Sequence, residues 1–476
     1  MTRTTDKGDN FDRHDIDLIA SSLILPNGVV VRNRLVKAAM AEGIGLGGGP
    51  PRKGHINLYK RWAEGGWGIV ISGNVQVDPR HLASPHDLTL PDGASTLKAY
   101  NELASAVHDS PSPPLLLMQI SHPGLQSSST VNLSRWPWEP AIGPCSERPS
   151  VSEGMMGWIW EHAVWPTPSR KITNLEEWSE IIDGFIEGAV LAEKAGWDGV
   201  QIHSAHGYLL AEYLSPLTNP NPLPLPGVPN NIPLRLHLLH SILKGIHDNT
   251  ERKFIKAVKI NCSDFVEGGL DESQATEIVK TLVSWSTLDI IEISGGTYSR
   301  PAFASPESLK SPSSARQSLF SHFTSSLSPF LANPPEGPAI LLTGGLHDRG
   351  LITSSLEDRA CDLVGIGRPA CLIPDLPNKI ILNDYLPKEE ARFGGYDIPG
   401  SDLMKRLLDA SSKSKNGIRL VGAGISTLWH EWQLCRLGRG VEPDKNMHWL
   451  EGLLVEEIWF EVLKGGPMGW WRYWRS

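Results

Sequence analysis

Residues 184–203 read GFIEGAVLAEKAGWDGVQIH. From Gly184 to Gly196 the apolar residues recur at helical spacing among Ala, Glu, Leu and Lys, all good helix formers. Gly199–His203 is then a short apolar run that ends on an imidazole. A helix leading straight into a short buried strand is half of a parallel βαβ unit. Similar runs lie at Leu35–Met40, Gly68–Ser72, Leu115–Ser121, Ile255–Asn261, Ile290–Ser294, Ala339–Thr343 and Asp362–Gly365, and Glu272–Trp285 again has helical spacing. Together they make eight strands alternating with helical stretches. That pattern predicts an α/β fold closed as a (β/α)8 TIM barrel rather than an open sheet. Ahead of it, Leu23–Val31 has the form of a β-hairpin around Pro26-Asn27-Gly28. The expected organisation is a flexible N-terminus over 1–20, a barrel over 21–376 and a helical C-terminal extension over 377–476.

Composition narrows the function. The chain has 476 residues, 40% hydrophobic and 20% charged, as a globular protein with a large core should. A net charge of -9 argues against non-specific nucleic-acid binding and against a polybasic membrane surface. No run of about 18 apolar residues predicts a membrane span. The segment Met1–Asp17 is polar and mixed in charge, without the apolar run of a secretion signal and with aspartates that argue against a transit peptide. Five dispersed cysteines without a Cys-x-x-Cys exclude a disulfide scaffold, a zinc ribbon and an iron–sulfur cluster, and fit a reducing cytoplasmic setting. Of 17 tryptophans, four crowd the tail at Trp459, Trp470, Trp471 and Trp474, where they are expected to pack a C-terminal helix onto the body or to fray, an interfacial membrane anchor being disfavoured without a clear amphipathic basic helix. Two stretches are expected to be irregular: Ser127–Pro168, over the barrel mouth, and the Pro-rich Leu217–Pro233.

The chemistry sits at strand ends. Gly73-Asn74, Gln119, His203, Asn261, Ser294, Thr343-Gly344-Gly345 and Gly367-Arg368 each close an apolar run, and in a barrel such ends meet on one catalytic rim. After the last two strands, Gly344, Gly345 and Gly367 let backbone N–H groups approach an anion, and Arg368 adds a fixed cation, as a phosphate site requires. His203 and His206 lie three apart where a strand becomes a loop, and Tyr208 follows. Two imidazole donors suit a developing oxyanion, and a phenol can deliver a proton to carbon. A metal reading would need a third ligand near that pair, so no metal is expected. Gln119 and His122 are candidate polar groups at the third strand end, or residues serving their local backbone. Lys259 is a cation within the fifth strand, able to stabilise negative charge on a bound ring. Val421–Thr427 has the look of a dinucleotide loop but lacks the third glycine.

In combination these motifs resemble the old yellow enzyme family of FMN-dependent NAD(P)H:flavin oxidoreductases. The resemblance runs from about Leu23 to Leu376. It rests on Asn33-Arg-Leu-Val-Lys-Ala-Ala-Met40, Gln119 with His122, His203-x-x-His206-Gly-Tyr208, Thr343-Gly-Gly345 and Gly365-Ile-Gly-Arg368. It implies that Ala39, Met40 and Ala41 lie against the flavin, with Gly73 and Asn74 nearby. It further implies that Gln119 binds the pyrimidine side, that Lys259 takes the place of a usual Arg near N1 and O2, and that Gly344, Gly345, Gly367 and Arg368 hold the phosphate. His203 and His206 would bind a substrate carbonyl, and Tyr208 would protonate Cα after hydride reaches Cβ. NAD(P)H would use the same pocket, so no separate dinucleotide domain is needed. Three positions depart from the family: Ala41 replaces a Thr or Cys, Leu125 replaces an Arg, and Leu217–Pro233 keeps only Asn219, with Arg235 after it, of an Asn- and Arg-containing motif.

The expected function is reduction of an activated, carbonyl-conjugated C=C bond in secondary or xenobiotic metabolism, with a small enone-type substrate, no nucleic acid and no stable membrane insertion. Self-association is left open. Hydride can cross a flavin either way, so flavin-dependent oxidation or isomerisation in a biosynthetic pathway is an alternative. A barrel that has lost turnover and acts as a binding protein is another. A metal-dependent hydrolase would need acidic ligands at the strand ends.

Overall fold

The computed structural model describes residues 8–45, 47–132, 134–149, 154–296, 322–394, 396, 398–401 and 420–455. Eight strands are β1 (Leu35–Lys37), β2 (Ile69–Gln76), β3 (Leu115–Ser121), β4 (Gly199–Ser204), β5 (Ile255–Asn261), β6 (Ile290–Ser294), β7 (Ala339–Thr343) and β8 (Leu363–Ile366). Each pairs in parallel with the next, and β1 pairs with both β8 and β2, so the sheet closes. Closure is tight at that seam, where Ala38 N–H donates to the Ile366 carbonyl at 3.0 Å. The strands are buried on both faces and therefore run apolar almost end to end. The expected barrel is the one observed.

The Leu23–Ile24 and Val30–Val31 strands form the expected antiparallel hairpin. With Leu25 and Val36 they pack beneath the barrel in a cluster that includes Ile71, Leu117, Ala257 and Leu341. The N-terminal segment differs from its expected flexibility, since Gly8–Ala20 is a helix with Ile16 and Ile19 buried. Its apolar spacing is diluted by aspartates, which hides the helix in the sequence. Helix Leu175–Lys194 starts nine residues before the sequence pattern suggests. Asn174 caps it by accepting from Glu176 N–H, Glu176 and Glu177 favour its first turn, and Trp178, Ile181, Phe185 and Ala189 face the barrel.

Ser127–Pro168 differs from the irregular stretch expected: it holds the helices Ser129–Asn132 and Gly154–Val164, and its Ile142–Gly143 strand pairs with Arg170–Lys171 just beyond it. Between Leu217 and Pro233 no described residue is helical or in a strand, as the prolines dictate. The fully buried Arg349, between β7 and β8, donates to the carbonyls of Ile380, Ile381, Asn383 and Leu386 and anchors the segment that follows β8. A helix over Leu420–Gly438 follows, with Trp429 and Trp432 buried, and packs on the Lys53–Ala63 helix. The residues with the look of a dinucleotide loop, Val421–Thr427, fall in this helix, so no phosphate turn is formed there. Trp459, Trp470, Trp471 and Trp474 lie outside the described residues. No helix among the described residues is long and apolar enough to cross a membrane.

Candidate active site

The polar strand ends converge on one rim. His203, the fifth residue of β4, is 4% exposed, and its ring centroid lies 5.1 Å from that of His206 and 4.5 Å from that of Tyr208. The turn holding them is clamped from three sides. His206 adopts a left-handed backbone (φ 58°), rare for a residue with a Cβ. Its N–H donates to Asn261 Oδ1 at 3.1 Å, and its carbonyl accepts from Gln126 Nε2 at 2.7 Å. Its ring Nε2 pairs with Ser294 Oγ at 2.8 Å. Leu209 N–H donates to the His122 carbonyl, which fixes the backbone just after Tyr208. Backbone strain held in place by its surroundings is a mark of a functional site.

Both imidazoles are held well below the usual histidine pKa: His203 by burial and by the charges of His206 and Lys259, His206 by burial and Lys259. They are neutral at physiological pH. Ala205 N–H donates to His203 Nδ1, so the proton of that ring is on Nε2. Asn74 Nδ2 donates to the Tyr208 hydroxyl at 3.1 Å.

A second set of side chains runs around the barrel interior. Gln119 Nε2 donates to Gln201 Oε1 (2.7 Å), Gln201 Nε2 donates to Glu292 Oε2 (2.6 Å), and Lys259 Nζ lies 2.8 Å from Glu292 Oε1. Four adjacent strands are thereby linked through a buried ion pair. Gln201 and Glu292 do not stand out in the sequence as site residues. The available signal is a carboxylate inside the apolar run Ile290-Ile291-Glu292-Ile293, in register with Lys259.

The glycine-rich turns lie where β7, β8 and β1 end. Gly344 and Gly345 take positive φ (104° and 79°), and a Cβ at Gly344 would meet nothing within 4 Å. A Cβ on Gly365 would lie 2.0 Å from Thr343 Oγ1, so the Thr343 hydroxyl as placed leaves no room for a side chain there. A Cβ on Gly367 would touch Met40 Sδ at 3.4 Å, which brings the turn against the Ala39–Ala41 segment, and one on Gly73 would collide with the Met40 carbonyl at 2.4 Å. Arg368 reaches solvent but is walled by protein, and that desolvation lowers its pKa. It has no ion pair or hydrogen bond among the described residues, and Thr343 Oγ1 is likewise a buried polar atom without a partner. An unpaired guanidinium, an unpaired hydroxyl and bare backbone at two strand ends fit the phosphate of FMN. Arg368→Ala should accordingly weaken FMN retention about 10- to 100-fold. The check is flavin absorbance per protein after dialysis, and an unchanged flavin content would contradict the placement.

His122 faces away from this rim. Its ring packs against His81 (centroids 5.1 Å), and Asp78 joins them, the three potential ligand atoms lying within 4.8 Å of one another. Nδ1 of each ring is engaged, whereas His81 Nε2 and His122 Nε2 are buried without a hydrogen-bond partner among the described residues. Asp78 accepts from Arg80 and from His81 Nδ1, and His122 Nδ1 accepts from Gly124 N–H. Burial pushes the His122 pKa down to about 3. The group forms part of the wall of a cavity of about 350 Å³, together with Arg170, Glu177 and Glu180. Asn219 and Arg235, what is kept of the altered motif, meet, since Arg235 Nη2 donates to the Asn219 carbonyl, and at the departure Leu125 the backbone N–H donates to Glu212.

Residues 25–386 match the model of the NADH:flavin oxidoreductase / NADH oxidase family. An NADH-dependent flavin oxidoreductase of Hypocrea jecorina is 31% identical over 385 residues, covering 80% of this chain and 93% of that protein. An NADPH dehydrogenase of Halalkalibacterium halodurans is 26% identical over 380 residues, 78% of this chain and 94% of that one. Among solved structures, morphinone reductase in complex with tetrahydroNAD shares the fold with a TM-score of 0.59 at 17% identity, over 80% of this chain and 92% of that chain. The old yellow enzyme homologue from Zymomonas mobilis does so with a TM-score of 0.57 at 18% identity, over 76% and 91%. The barrel, the anion cradle and these likenesses agree: the chain belongs to the NADH:flavin oxidoreductase / NADH oxidase family and is an FMN-dependent NAD(P)H oxidoreductase of the old yellow enzyme type.

Proposed function

We propose that the protein reduces a carbon–carbon double bond conjugated to a carbonyl, in a small-molecule substrate. The observation that carries this reading is the gathering of two neutral imidazoles and a phenol on one rim, with His203 Nε2–H as a donor. A carbonyl oxygen bound by His203 and His206 is polarised, and Cβ of the conjugated system becomes electron-poor. Reduced FMN supplies the hydride that this carbon accepts. The enolate charge that develops on oxygen is met by donors already in place, which is where such donors contribute most. Tyr208 then gives its proton to Cα, completing the addition of one hydride and one proton.

Within this reading, Ala39, Met40, Ala41, Gly73 and Gln119 border the flavin, while Gly344, Gly345, Gly367 and Arg368 hold its phosphate. Lys259 faces the ring as half of a neutral pair with Glu292 rather than as a free cation. The altered Leu217–Pro233 loop bears on which substrates enter.

The test is anaerobic. NADH or NADPH should bleach the bound flavin, and 2-cyclohexen-1-one should restore its colour with formation of the saturated ketone. A reduced protein that no enone reoxidises would overturn the reading. Enone turnover without nicotinamide consumption would favour isomerisation instead.

A further inference from the structure

We propose that Asn74 is a positioning residue for Tyr208: its amide N–H holds the phenol oxygen and stabilises the negative charge left there as the proton departs. The proposal rests on the reading of Tyr208 as proton donor. It begins in the pairing of β2 with β3. Ile71 pairs with Leu117, but Gln119 pairs with Asn74, so β2 carries one extra residue across Ser72-Gly73. Without that bulge Gly73 would stand opposite Gln119, and the side chain at 74 would point to the other face. The bulge turns Asn74 toward the mouth, onto the level of Gln119.

Several groups hold it there. Ser72 Oγ accepts from Gln119 N–H (2.9 Å) and donates to the Gly73 carbonyl (2.8 Å). Glu42 Oε1 accepts from Gly73 N–H at 2.7 Å and from the Tyr59 hydroxyl. No side chain fits at Gly73, where a Cβ would lie 2.2 Å from Glu42 Oε2. A distortion braced by two strands and a buried carboxylate delivers one functional contact across the mouth, the 3.1 Å bond from Asn74 Nδ2 to the Tyr208 oxygen. An oxygen that accepts from Asn74 keeps its own proton for a different partner. A donor aimed at that oxygen also favours the phenolate over the phenol.

The direct test needs no turnover. Fluorotyrosine placed at position 208 is titrated by 19F NMR in the parent and in Asn74→Asp, which keeps the shape but can only accept. The ionisation midpoint should rise by about one pH unit or more in the variant. A midpoint that stays put or falls would overturn the proposal. A double-mutant cycle on enone-driven reoxidation, per bound flavin, separates the two claims. Asn74→Asp should slow the step about tenfold when Tyr208 is present and less than about twofold in the Tyr208→Phe background. Equal slowing in both backgrounds would defeat the role of Asn74 and leave that of Tyr208 standing. A Tyr208→Phe protein as fast as the parent would defeat both.

Discussion

Tyr208→Phe should slow reoxidation of the reduced protein by an enone about 10²- to 10⁴-fold, the usual contribution of a positioned acid. Reduction by NADH should keep most of its rate, because hydride transfer to the flavin requires no proton from this phenol. The substitution keeps the ring that packs 4.5 Å from His203, so the loss isolates the hydroxyl. Stopped-flow absorbance resolves the two half-reactions. Equal loss in both would mean that the residue shapes the pocket and is not an acid.

The pH dependence follows from the same geometry. His203 and His206 have pKa values well below 6.5, so their neutral, donating forms persist upward from well below that pH. They take up protons only in more acidic solution, where an imidazolium beside Lys259 is disfavoured. Between pH 6 and 8 the reoxidation step should therefore show no histidine titration, and a change near pH 6.5 would place the imidazoles in a wetter setting than the structure does.

Much of the fold was legible because parallel barrel strands are buried on both faces and stand out as apolar runs. Leu115–Ser121, Ile255–Asn261, Ile290–Ser294 and Ala339–Thr343 have the same ends in sequence and structure. Strand β2 runs to Gln76, beyond the apolar stretch, because its bulge carries the pairing past two small residues. Lateral relations were harder to see. Gln201 and Glu292 sit in apolar strands, and their partners are on neighbouring strands far along the chain. Only the register shows that Lys259 faces a carboxylate. His122 belongs to the motif that carries the resemblance, yet it follows the end of β3 and its ring packs against His81.

That hidden pairing makes the strongest stability prediction. Lys259 is 4% exposed and Glu292 is fully buried, so each charge relies on the other. Glu292→Leu strands an ammonium group in the barrel and deprives Gln201 of its acceptor. Breaking one half of a buried pair costs about 3–5 kcal/mol, because the remaining charge loses its partner without regaining water. The thermal midpoint of the flavin-free protein should fall by several degrees. Removing both charges is a different matter, since the desolvation of both ions is then avoided. Lys259→Met with Glu292→Leu should recover most of the loss, and a pair of this kind can even be replaced at a gain. A double variant no better than the single one would mean that the damage lies in packing. A single variant as stable as the parent would mean that water reaches the pair. Recovery of stability without recovery of enone reduction would show that the ion pair is kept for turnover and not for the fold.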